Sequence, residues 1–490
     1  MSESMNILFV ASEVAPYAKS GGLADVASAL PKALARLGQK VKIVLPYYSS
    51  INRKKYPIKP LMDACCVKMG SGDEWYSVHH LKEENDGPDV YFIEYNRYFE
   101  RNSYYDDQGE EYKDNALRFS FFCRAALQLA KDLNFKPDVV HVNDWHTSLI
   151  PYYLKVDGDP FFKDTKSILT IHNIRHQGVF DPSFLTYAKI RSEDFNPQAF
   201  EAFGKSNLLK AGIWFADKIT TVSPNYAKEI LTHIGSFGLQ QTLLWRQADL
   251  SGILNGIDTD VWDPRTDALI ADTYNKDTFV KGKAINKAAV QEAYHLDKNP
   301  HIPLFAFVGR LDAQKGITMI AETIEDIMKD MICQIVILGS GQNWAENYFR
   351  DLPARLKGKV GSYVGYSEDL AHQLIAGSDF FLMPSLFEPC GLTQLYSLRY
   401  GTLPVVRATG GLEDTVQNYN QDTAEGTGFK FYDATGKAFY DTVGWAVSTY
   451  YDRPHHVFTM RRRGMETDFS WDIHAREYMD VYRAAKAKTN

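Results

Sequence analysis

Two cations and two glycines stand at a predicted strand-to-helix junction in the second half of the chain. Arg310 and Lys315 lie in the segment 309–316, which follows a buried apolar run and precedes a helical pattern. The N–H groups of a helix N-terminus, together with two positive side chains, favour an anion that carries more than one charge. The segment therefore predicts a diphosphate site, although either cation alone is equally well explained as a solvated side chain on a loop.

A second candidate anion site lies near the start of the chain. Lys19 is followed by Ser20, Gly21 and Gly22 where another helical pattern begins. The two glycines leave the backbone open to close approach, and the helix N-terminus favours negative charge. A phosphate or a sugar hydroxyl fits this motif, and a plain turn with a solvated lysine is the alternative.

A carboxylate and a thiol lie between another strand and helix, in the segment 387–393. Pro389 holds Glu388 in an extended conformation, and Gly391 lets a ligand approach the following helix N-terminus closely. Cys390 at this position is either a nucleophile with a lowered pKa or a packed thiol. Because the sequence places no histidine to activate Cys390, the packed thiol is the preferred interpretation.

An acid, an indole and two imidazoles lie within the segment 141–146. Asp144 comes directly after a strand, and His172 follows the next strand in the same way. Side chains of these types bind sugar hydroxyls and assist charge movement. The spacing of His172 and His176 also permits zinc, but no third ligand with suitable spacing is evident, so no metal is expected.

The elements that must position these residues follow a repeated strand-helix order. A buried strand at 6–11, apolar residues at helical spacing from 23 to 37 with Gly38 as a stop, and a second buried strand at 41–45 predict a β-α-β unit of a parallel sheet. Further strands of this kind are predicted at 138–142, 167–171 and 218–222, and again at 304–308, 334–338, 380–383 and 403–406.

Length and periodicity predict two domains. A chain of 490 residues is too long for one hydrophobic core, and the strand-helix alternation weakens after the segment 255–258. We expect a first domain of residues 1–250 with a returning C-terminal helix at 471–490, and a second domain of residues 251–470. Doubly wound sheets bind ligands at the carboxyl ends of their strands, which here predicts a cleft between the domains.

Composition excludes several classes of protein. With 45% hydrophobic and 23% charged residues the chain is ordinary globular protein, and a net charge of -7 argues against a nucleic-acid partner. Five scattered cysteines lack the spacing of a zinc site or a disulfide framework and fit a reducing cytoplasm. The apolar runs are far shorter than the roughly 20 residues that cross a bilayer, so no membrane partner is expected.

The first β-α-β unit disfavours a nicotinamide-dependent enzyme. A dinucleotide-binding Rossmann domain carries Gly-x-Gly-x-x-Gly after its first strand and an acidic residue at the end of its second. Here the second predicted strand ends in Pro46, Tyr47 and Tyr48. No cofactor is therefore expected.

Taken in order, these motifs closely resemble those of the bacterial glycogen synthase and plant starch synthase family over essentially the whole chain. The matching segments are Lys-Ser-Gly-Gly-Leu-Ala-Asp-Val at 19–26, Asn-Asp-Trp-His at 143–146, Thr-Ile-His-Asn at 170–173, Thr-Val-Ser-Pro at 221–224, Asn-Gly-Ile-Asp at 255–258, Arg-Leu-x-x-Gln-Lys-Gly at 310–316, Glu-Pro-Cys-Gly-Leu-Thr-Gln-Leu at 388–395 and Thr-Gly-Gly-Leu at 409–412. Ser20, the pair Arg175 and His176, and Leu386 depart from the family pattern. The resemblance implies an α/β architecture of the GT-B type, in which two Rossmann-like, doubly wound domains face a central cleft.

The resemblance also implies which residues bind the donor. Arg310 and Lys315 would neutralise its diphosphate, and Lys19 with the Gly22 backbone would approach that diphosphate from the other domain. Tyr366 matches the position at which the family stacks the nucleotide base. With this countercharge in place, the donor needs no metal.

A second set of residues is implied to surround the transferred glucose. Glu388 would hold the sugar, together with the backbone of Cys390, Gly391, Leu392 and Thr393. The side chains implied to line the site near the reacting carbon are Asp144, His172 and Asn255. Glu388, Arg310 and Lys315 are thus catalytic candidates, as are Asp144 and His172.

The activity that the resemblance implies is retaining transfer of glucose from a sugar nucleotide to the non-reducing 4-hydroxyl of an α-1,4-glucan. ADP-glucose is favoured over UDP-glucose. A covalent double displacement would need a carboxylate behind the anomeric carbon. The resemblance indicates front-side attack instead, in which the departing phosphate oxygen accepts the proton of the 4-hydroxyl. A GT-B transferase with another acceptor and a catalytically silent glucan-binding homologue are the alternatives.

Overall fold

The computed structural model describes residues 4–82, 87–107 and 109–488, and the chain divides into two compact units. Unit 1 comprises Met1–Gly256 and Trp471–Asn490, and unit 2 comprises Ile257–Ser470. No helix within the described ranges is long and apolar enough to span a membrane.

Unit 1 is built on a mixed β-sheet. Its strands are β1 (Asn6–Val10), β2 (Lys40–Pro46), β3 (Lys59–Met69), β4 (Gly72–Leu81), β5 (Asp89–Glu94), β6 (Asp106–Asp107), β7 (Glu110–Glu111), β8 (Val139–Asn143), β9 (Lys166–Ile171), β10 (Val179–Phe180), β11 (Glu201–Ala202), β12 (Lys205–Asn207), β13 (Lys218–Thr221) and β14 (Leu250–Gly252). The main sheet has the order β14-β13-β9-β8-β1-β2-β5-β4-β3, and small antiparallel sheets have the orders β10-β12-β11 and β6-β7.

Most of the main sheet is parallel, as expected from the buried apolar runs. Neighbouring strands from β14 to β5 are parallel, whereas β3, β4 and β5 pair antiparallel. The five strands predicted in this part of the chain are confirmed to within one residue at each end. The β3–β4 hairpin escapes prediction because its strands are only partly buried, so no continuous apolar run marks them.

Helices connect these strands. Those of unit 1 before its last strand are α1 (Gly22–Arg36), α2 (Asn96–Phe99), α3 (Asn115–Asp132), α4 (Asp144–Thr147), α5 (Leu149–Val156), α6 (Leu208–Phe215), α7 (Pro224–Glu229) and α8 (Gln240–Trp245). Helix α1 buries Leu23, Val26 and Leu30 on one face, and Gly38 follows it with a φ of +82°. The predicted helix and its glycine stop are confirmed.

Unit 2 is a doubly wound sheet with the strand order β17-β16-β15-β18-β19-β20, and every neighbouring pair is parallel. The strands are β15 (Leu304–Val308), β16 (Gln334–Gly339), β17 (Val360–Val364), β18 (Phe380–Met383), β19 (Leu403–Arg407) and β20 (Phe429–Phe431). The helices are α9 (Phe279–Ala293), α10 (Ile317–Asp330), α11 (Asn343–Arg355), α12 (Glu368–Gly377), α13 (Thr393–Arg399), α14 (Gly410–Thr415), α15 (Gly436–Asp452) and α16 (Pro454–Glu466).

Both faces of the unit 2 sheet are buried. Phe305, Ile335 and Phe380 belong to one apolar cluster, while their neighbours Leu304 and Val336 belong to a second cluster. Since successive side chains of a strand point to opposite faces, each face of the sheet packs against its own layer of helices. This explains why these strands read as continuous apolar runs in the sequence.

The end of the chain returns to unit 1. Helix α17 (Trp471–Ala487) brings Tyr482 to the main sheet, where its hydroxyl lies 2.6 Å from His141 Nδ1. The predicted boundary at residue 250 differs from the observed division after Gly256 because β14 begins at Leu250 and pairs with β13. Asn255 therefore belongs to unit 1.

Candidate active site

The candidate donor residues of unit 2 lie at the carboxyl edge of its sheet. Arg310 follows β15, Tyr366 follows β17 and Glu388 follows β18. Because these strands are parallel, their carboxyl ends meet at one edge. The fold of unit 2 thus gathers residues that are up to 78 positions apart in the sequence.

Asp312 organises the loop that carries the two cations. It is the N-cap residue of a short 3-10 turn, and its Oδ1 accepts the Lys315 N–H at 3.0 Å. Its Oδ2 lies 2.8 Å from Arg310 Nη1. Gly316 then turns the chain into α10 with a φ of +72°, and a Cβ there would clash with the Pro384 carbonyl oxygen. Only glycine fits at this position.

Lys315 and Glu388 form a partly buried ion pair. Lys315 Nζ lies 2.6 Å from Glu388 Oε2, and the two side chains are 23% and 7% exposed. Ser385 Oγ donates to the same Oε2 at 3.0 Å. Within the described ranges, no hydrogen bond reaches the other carboxylate oxygen, Oε1. Since a lysine ammonium has three donors, the pair leaves Lys315 able to bind another oxygen and Glu388 able to accept from a hydroxyl.

The loop before Glu388 is tied to the cation-bearing loop. The Gln314 carbonyl accepts the Leu386 N–H at 2.8 Å, and Gln314 Oε1 accepts from Arg310 Nη2 at 3.0 Å. On the other side, Arg407 of β19 donates a guanidinium N–H to the Leu386 carbonyl. These bonds fix the two loops against each other, so the Lys315 and Glu388 side chains meet on a rigid support.

The backbone of Glu388 rests on the start of α14. Gly411 N–H donates to the Glu388 carbonyl oxygen at 3.1 Å. A Cβ on Gly410, whose φ is +47°, would clash with that same carbonyl oxygen, and a Cβ on Gly411 would clash with the Cys390 backbone. The glycine pair therefore permits the close approach that holds Glu388 in place.

The remaining predicted residues of unit 2 differ in their exposure. Cys390 is 3% exposed, which agrees with a packed thiol. Gly391 has a φ of +74°, Leu392 is partly exposed, and Thr393 begins α13. Tyr366 is 75% exposed, so its ring offers a flat surface to solvent.

In unit 1 a buried carboxylate holds the glycine motif near the N-terminus. Glu13 is 3% exposed, and its Oε1 accepts from Ser20 Oγ at 2.7 Å and from the Tyr105 hydroxyl at 2.6 Å. Its Oε2 accepts the Ser20 N–H. Burial raises the pKa of Glu13, and the hydrogen bonds from Tyr105 and Ser20 oppose that shift.

Lys19 and Gly22 flank the start of α1. Lys19 Nζ lies 2.8 Å from Asp25 Oδ1 on the first turn of the helix, and the Lys19 N–H donates to the Tyr104 hydroxyl at 3.2 Å. Gly22 is exposed as the first helical residue, and the N-cap residue Gly21 provides no side-chain cap. The backbone at this helix start is therefore accessible to a ligand.

Asp144 and His172 are brought together at the carboxyl ends of β8 and β9. Asp144 has a φ of +54°, which is uncommon for a residue other than glycine, and its Oδ1 accepts the His172 N–H at 2.7 Å. His172 Nε2 lies 2.9 Å from Asn143 Oδ1, and Asn143 Nδ2 donates to the Val10 carbonyl at 3.0 Å. Because Asn143 Oδ1 is thus the acceptor, His172 carries its proton on Nε2 and a lone pair on Nδ1.

Burial sets the charge of both groups. Burial raises the pKa of Asp144 to about 7, with the charge of Glu13 adding to the shift and the N–H groups of His172 and Asn173 opposing it. Burial lowers the pKa of His172 to about 3. His172 is therefore neutral at physiological pH, whereas Asp144 titrates within that range.

Replacing Asp144 with asparagine is expected to raise the Tm at pH 8 by more than it does at pH 5. The pKa of Asp144 in the folded protein, about 7, exceeds the ordinary value of 3.8, so the folded state keeps a proton that the unfolded chain releases. The contribution of this proton to the free energy of unfolding is complete below pH 4 and is lost as the pH rises to 7. The free energy of unfolding changes by about 4 kcal/mol over this range. Asparagine stays neutral and tolerates the same φ.

Melting curves of the wild type and Asp144→Asn from pH 5 to 8 measure this difference. A gap in Tm that stays constant or shrinks as the pH rises would contradict the raised pKa of Asp144.

Asn255 carries an unsatisfied acceptor. It follows β14, is 5% exposed, and its Oδ1 has no hydrogen-bond partner in the described part of the chain. Buried acceptors of this kind are rare without a partner, so a ligand hydroxyl or N–H is the natural donor. Among the described residues, no three His, Cys, Asp or Glu side chains are grouped to hold a metal ion.

Sequence reasoning missed Glu13, Asp312 and Ser385. Glu13 follows β1 by three residues, the same signal of an acid past a buried strand that identified Asp144. Asp312 stands three residues before Lys315, the spacing of an N-cap residue and the N–H that it accepts. Ser385 follows β18 by two residues, and no sequence pattern distinguishes it from other serines.

Two family profiles match the chain. The starch synthase catalytic domain matches residues 6–245, and the glycosyl transferases group 1 match residues 302–447. The chain is 42% identical to glycogen synthase 1 of Geobacter sulfurreducens, over 99% of this chain and 97% of the relative. It is 41% identical to the glycogen synthase of Treponema denticola, over 99% of both chains.

Solved structures agree with these relatives. The catalytic domain of starch synthase IV from Arabidopsis thaliana, bound to ADP and acarbose, superposes with a TM-score of 0.92 at 32% identity, over 99% of this chain and 100% of that one. A sucrose-phosphate synthase from Thermosynechococcus elongatus, 15% identical with a TM-score of 0.62 over 99% of both chains, shares the fold.

The doubly wound units and these likenesses define a glycosyltransferase of the GT-B fold. The chain belongs to the family of bacterial glycogen synthases and plant starch synthases. It is a glucosyltransferase, and its substrates are a sugar nucleotide and an α-glucan. The predicted family and fold class are thereby confirmed, as is the predicted transfer of glucose from a sugar nucleotide to an α-glucan.

Proposed function

We propose that the enzyme uses ADP-glucose as donor and adds glucose to the non-reducing 4-hydroxyl of an α-1,4-glucan with retention of configuration. The observation that carries the proposal is the Lys315–Glu388 ion pair on the loop pair that also carries Arg310. The two cations suit a diphosphate, and the available carboxylate oxygen of Glu388 suits a sugar hydroxyl. One nucleotide sugar therefore accounts for Arg310, Lys315 and Glu388 together. The starch synthase IV neighbour was solved with ADP, which supports an adenine nucleotide.

The two cations are proposed to bind the donor diphosphate. Lys315 bridges Glu388 and a phosphate oxygen, because its ammonium has donors to spare. Arg310 binds a second phosphate oxygen, since its guanidinium is 58% exposed and keeps free N–H donors beyond those held by Asp312 and Gln314. As the glycosidic bond breaks, both cations stabilise the negative charge that grows on the leaving phosphate.

The transferred glucose is proposed to lie against Glu388. Oε1 of that carboxylate accepts from a glucose hydroxyl, while Oε2 remains with Lys315 and Ser385. The exposed ring of Tyr366 stacks on the base. Backbone N–H groups at the start of α13 are proposed to form hydrogen bonds with the sugar nucleotide. They belong to Cys390, Gly391, Leu392 and Thr393.

Residues of unit 1 are proposed to complete the chemistry. Lys19 and the accessible Gly22 backbone bind a donor phosphate. His172 Nδ1, Asp144 and the unsatisfied Asn255 Oδ1 bind sugar hydroxyls near the reacting carbon. These groups are all at the carboxyl edge of the unit 1 sheet, where ligands bind in folds of this type.

Front-side attack is the proposed route to retention. The leaving phosphate oxygen accepts the proton of the glucan 4-hydroxyl as the old C–O bond breaks and the new one forms on the same face. A double displacement would need a carboxylate behind the anomeric carbon. Glu388 instead pairs with Lys315, the lysine proposed to bind the phosphate. This pairing favours a position of the Glu388 carboxylate on the side of the sugar from which the phosphate leaves.

A cytoplasmic location is also proposed. All five cysteines, Cys65, Cys66, Cys123, Cys333 and Cys390, carry reduced thiols. Thiols persist in compartments that keep cysteine reduced.

Initial rates with ADP-glucose and UDP-glucose on the same glycogen test the donor proposal. We expect kcat/KM to be at least about tenfold higher with ADP-glucose, which corresponds to about 1.4 kcal/mol of differential transition-state binding. Equal values, or a preference for UDP-glucose, would contradict the adenine assignment. Transfer only to small sugars or lipids, with none to glycogen, would contradict the acceptor.

A further inference from the structure

Phe203 stands at the tip of a hairpin in unit 1 in an unusual backbone conformation. Strands β11 and β12 pair antiparallel, which leaves Phe203 and Gly204 as the two-residue turn. Both residues have positive φ, +53° and +77°, as in the type I′ turn that favours Asn-Gly. A bulky side chain at positive φ is an outlier.

The Phe203 ring is also 97% exposed. The residue therefore has both an unfavourable backbone conformation and an apolar side chain exposed to water. Such outliers concentrate at functional sites. The tip is held in place, because Gly204 N–H donates to Glu201 Oε1 at 2.7 Å. Next to it, Lys205 Nζ lies 3.6 Å from Asp181 Oδ2, so these two flanking charges balance.

The base of this hairpin lies close to Trp145, a neighbour of the candidate residue Asp144. Asn207 Nδ2 donates to Gln177 Oε1 at 2.6 Å, and the next residue, Gly178, packs directly on the Trp145 indole. Trp145 adjoins Asp144 in the sequence. Phe203 lies four residues before Asn207 in the chain, a separation of at most about 13 Å at the rise of an extended chain.

We propose that Phe203 is a stacking subsite for the α-glucan acceptor, separate from the place where the 4-hydroxyl reacts. The C–H groups of a pyranose ring form a flat apolar face, which stacks on an exposed aromatic ring. The inference rests on the proposed acceptor, a polymer long enough to reach both places. The balanced flanking charges give no attraction for a polyanion, and one ring is far smaller than the roughly 1,000 Å² of a stable protein interface.

Kinetics of Phe203→Asn on long and short acceptors test the subsite. Asparagine suits the turn better than phenylalanine does, so this variant is expected to fold with an unchanged or higher Tm. We expect its KM for glycogen to rise about fivefold, the factor for loss of one modest contact, with kcat unchanged. The KM for maltotriose, a far shorter acceptor than glycogen, should change less, and Phe203→Trp should behave as the wild type.

Co-sedimentation with glycogen in the absence of donor gives a second readout that does not require turnover. Phe203→Asn should bind glycogen about fivefold more weakly, while Ile332→Asn, which removes a 68% exposed side chain of unit 2, should bind normally. If the wild type binds glycogen but transfers no glucose, the proposed reaction fails and the subsite stands. Unchanged binding and KM for Phe203→Asn, an equal loss with maltotriose, or loss of a dimer in sedimentation velocity would each overturn the subsite.

Discussion

Lys315→Met is expected to lower kcat by about 100- to 1,000-fold, with a smaller change in the KM for the donor. The ammonium lies 2.6 Å from Glu388 and its side chain is 23% exposed, so it acts where water screens charge less than in bulk. It stabilises the departing phosphate more than the bound donor, because negative charge grows as the bond breaks. Loss of one fixed donor to a developing oxyanion costs about 3–4 kcal/mol.

Two other substitutions calibrate this result. Arg310→Met should lower kcat by only about tenfold, because a side chain that is 58% exposed and paired with Asp312 acts in better-screened surroundings. Lys329→Met, which removes an exposed lysine of α10, should leave both kcat and the KM for the donor unchanged. Added magnesium should not restore Lys315→Met, because a diffusible ion lacks the fixed position of the ammonium. An unchanged kcat with only weaker donor binding would show that Lys315 does not assist departure of the phosphate.

Glu388→Gln is expected to lower kcat by about 1,000-fold while the protein still folds. The amide keeps the shape of the side chain but removes the charge that positions the Lys315 ammonium. It also weakens the acceptor proposed for the glucose hydroxyl, so two interactions made in the transition state are lost together. Glucose incorporation into glycogen across donor concentrations measures the loss, and thermal melting reports the fold.

A matched variant separates the loss of an ion pair from the loss of catalysis. Asp263 pairs with Arg399 at 2.7 Å in the same unit, with side-chain exposures of 3% and 22%, close to those of Glu388 and Lys315. Asp263→Asn should therefore lower the Tm and leave kcat near normal. If Glu388→Gln turns over at nearly the wild-type rate, the carboxylate has no part in the chemistry.

Most of the strands that the sequence predicts are buried on both sides, although β5 is missed even though its four central residues are buried. Strands such as β15 and β18 match their predicted bounds, because a parallel strand between two helical layers must be apolar throughout. The closing helix α17 begins at its predicted start, Trp471, and ends at Ala487, inside the predicted segment 471–490. Strands with an exposed face, such as β3, β4 and β17, leave no such run and are missed.

The candidate site is predicted less completely because its geometry depends on pairs of residues far apart in the sequence. The sequence places Lys315 and Glu388 after separate strands, but their ion pair depends on how β15 and β18 lie side by side. The positive φ of Asp144 and the role of Glu13 as an acceptor for the Ser20 loop are likewise set by tertiary contacts. Residue types indicate which side chains could take part in the reaction, and the tertiary structure determines which of these side chains lie close together.

The kcat of the double variant Lys315→Met with Glu388→Gln, on ADP-glucose and glycogen, shows whether the ion pair acts as one catalytic unit. Residues that act as a unit show losses of kcat that do not multiply. We therefore predict that the double variant is about as slow as the slower single variant. A loss equal to the product of the two single losses, or near-normal turnover in either single variant, would show that Lys315 and Glu388 do not act together.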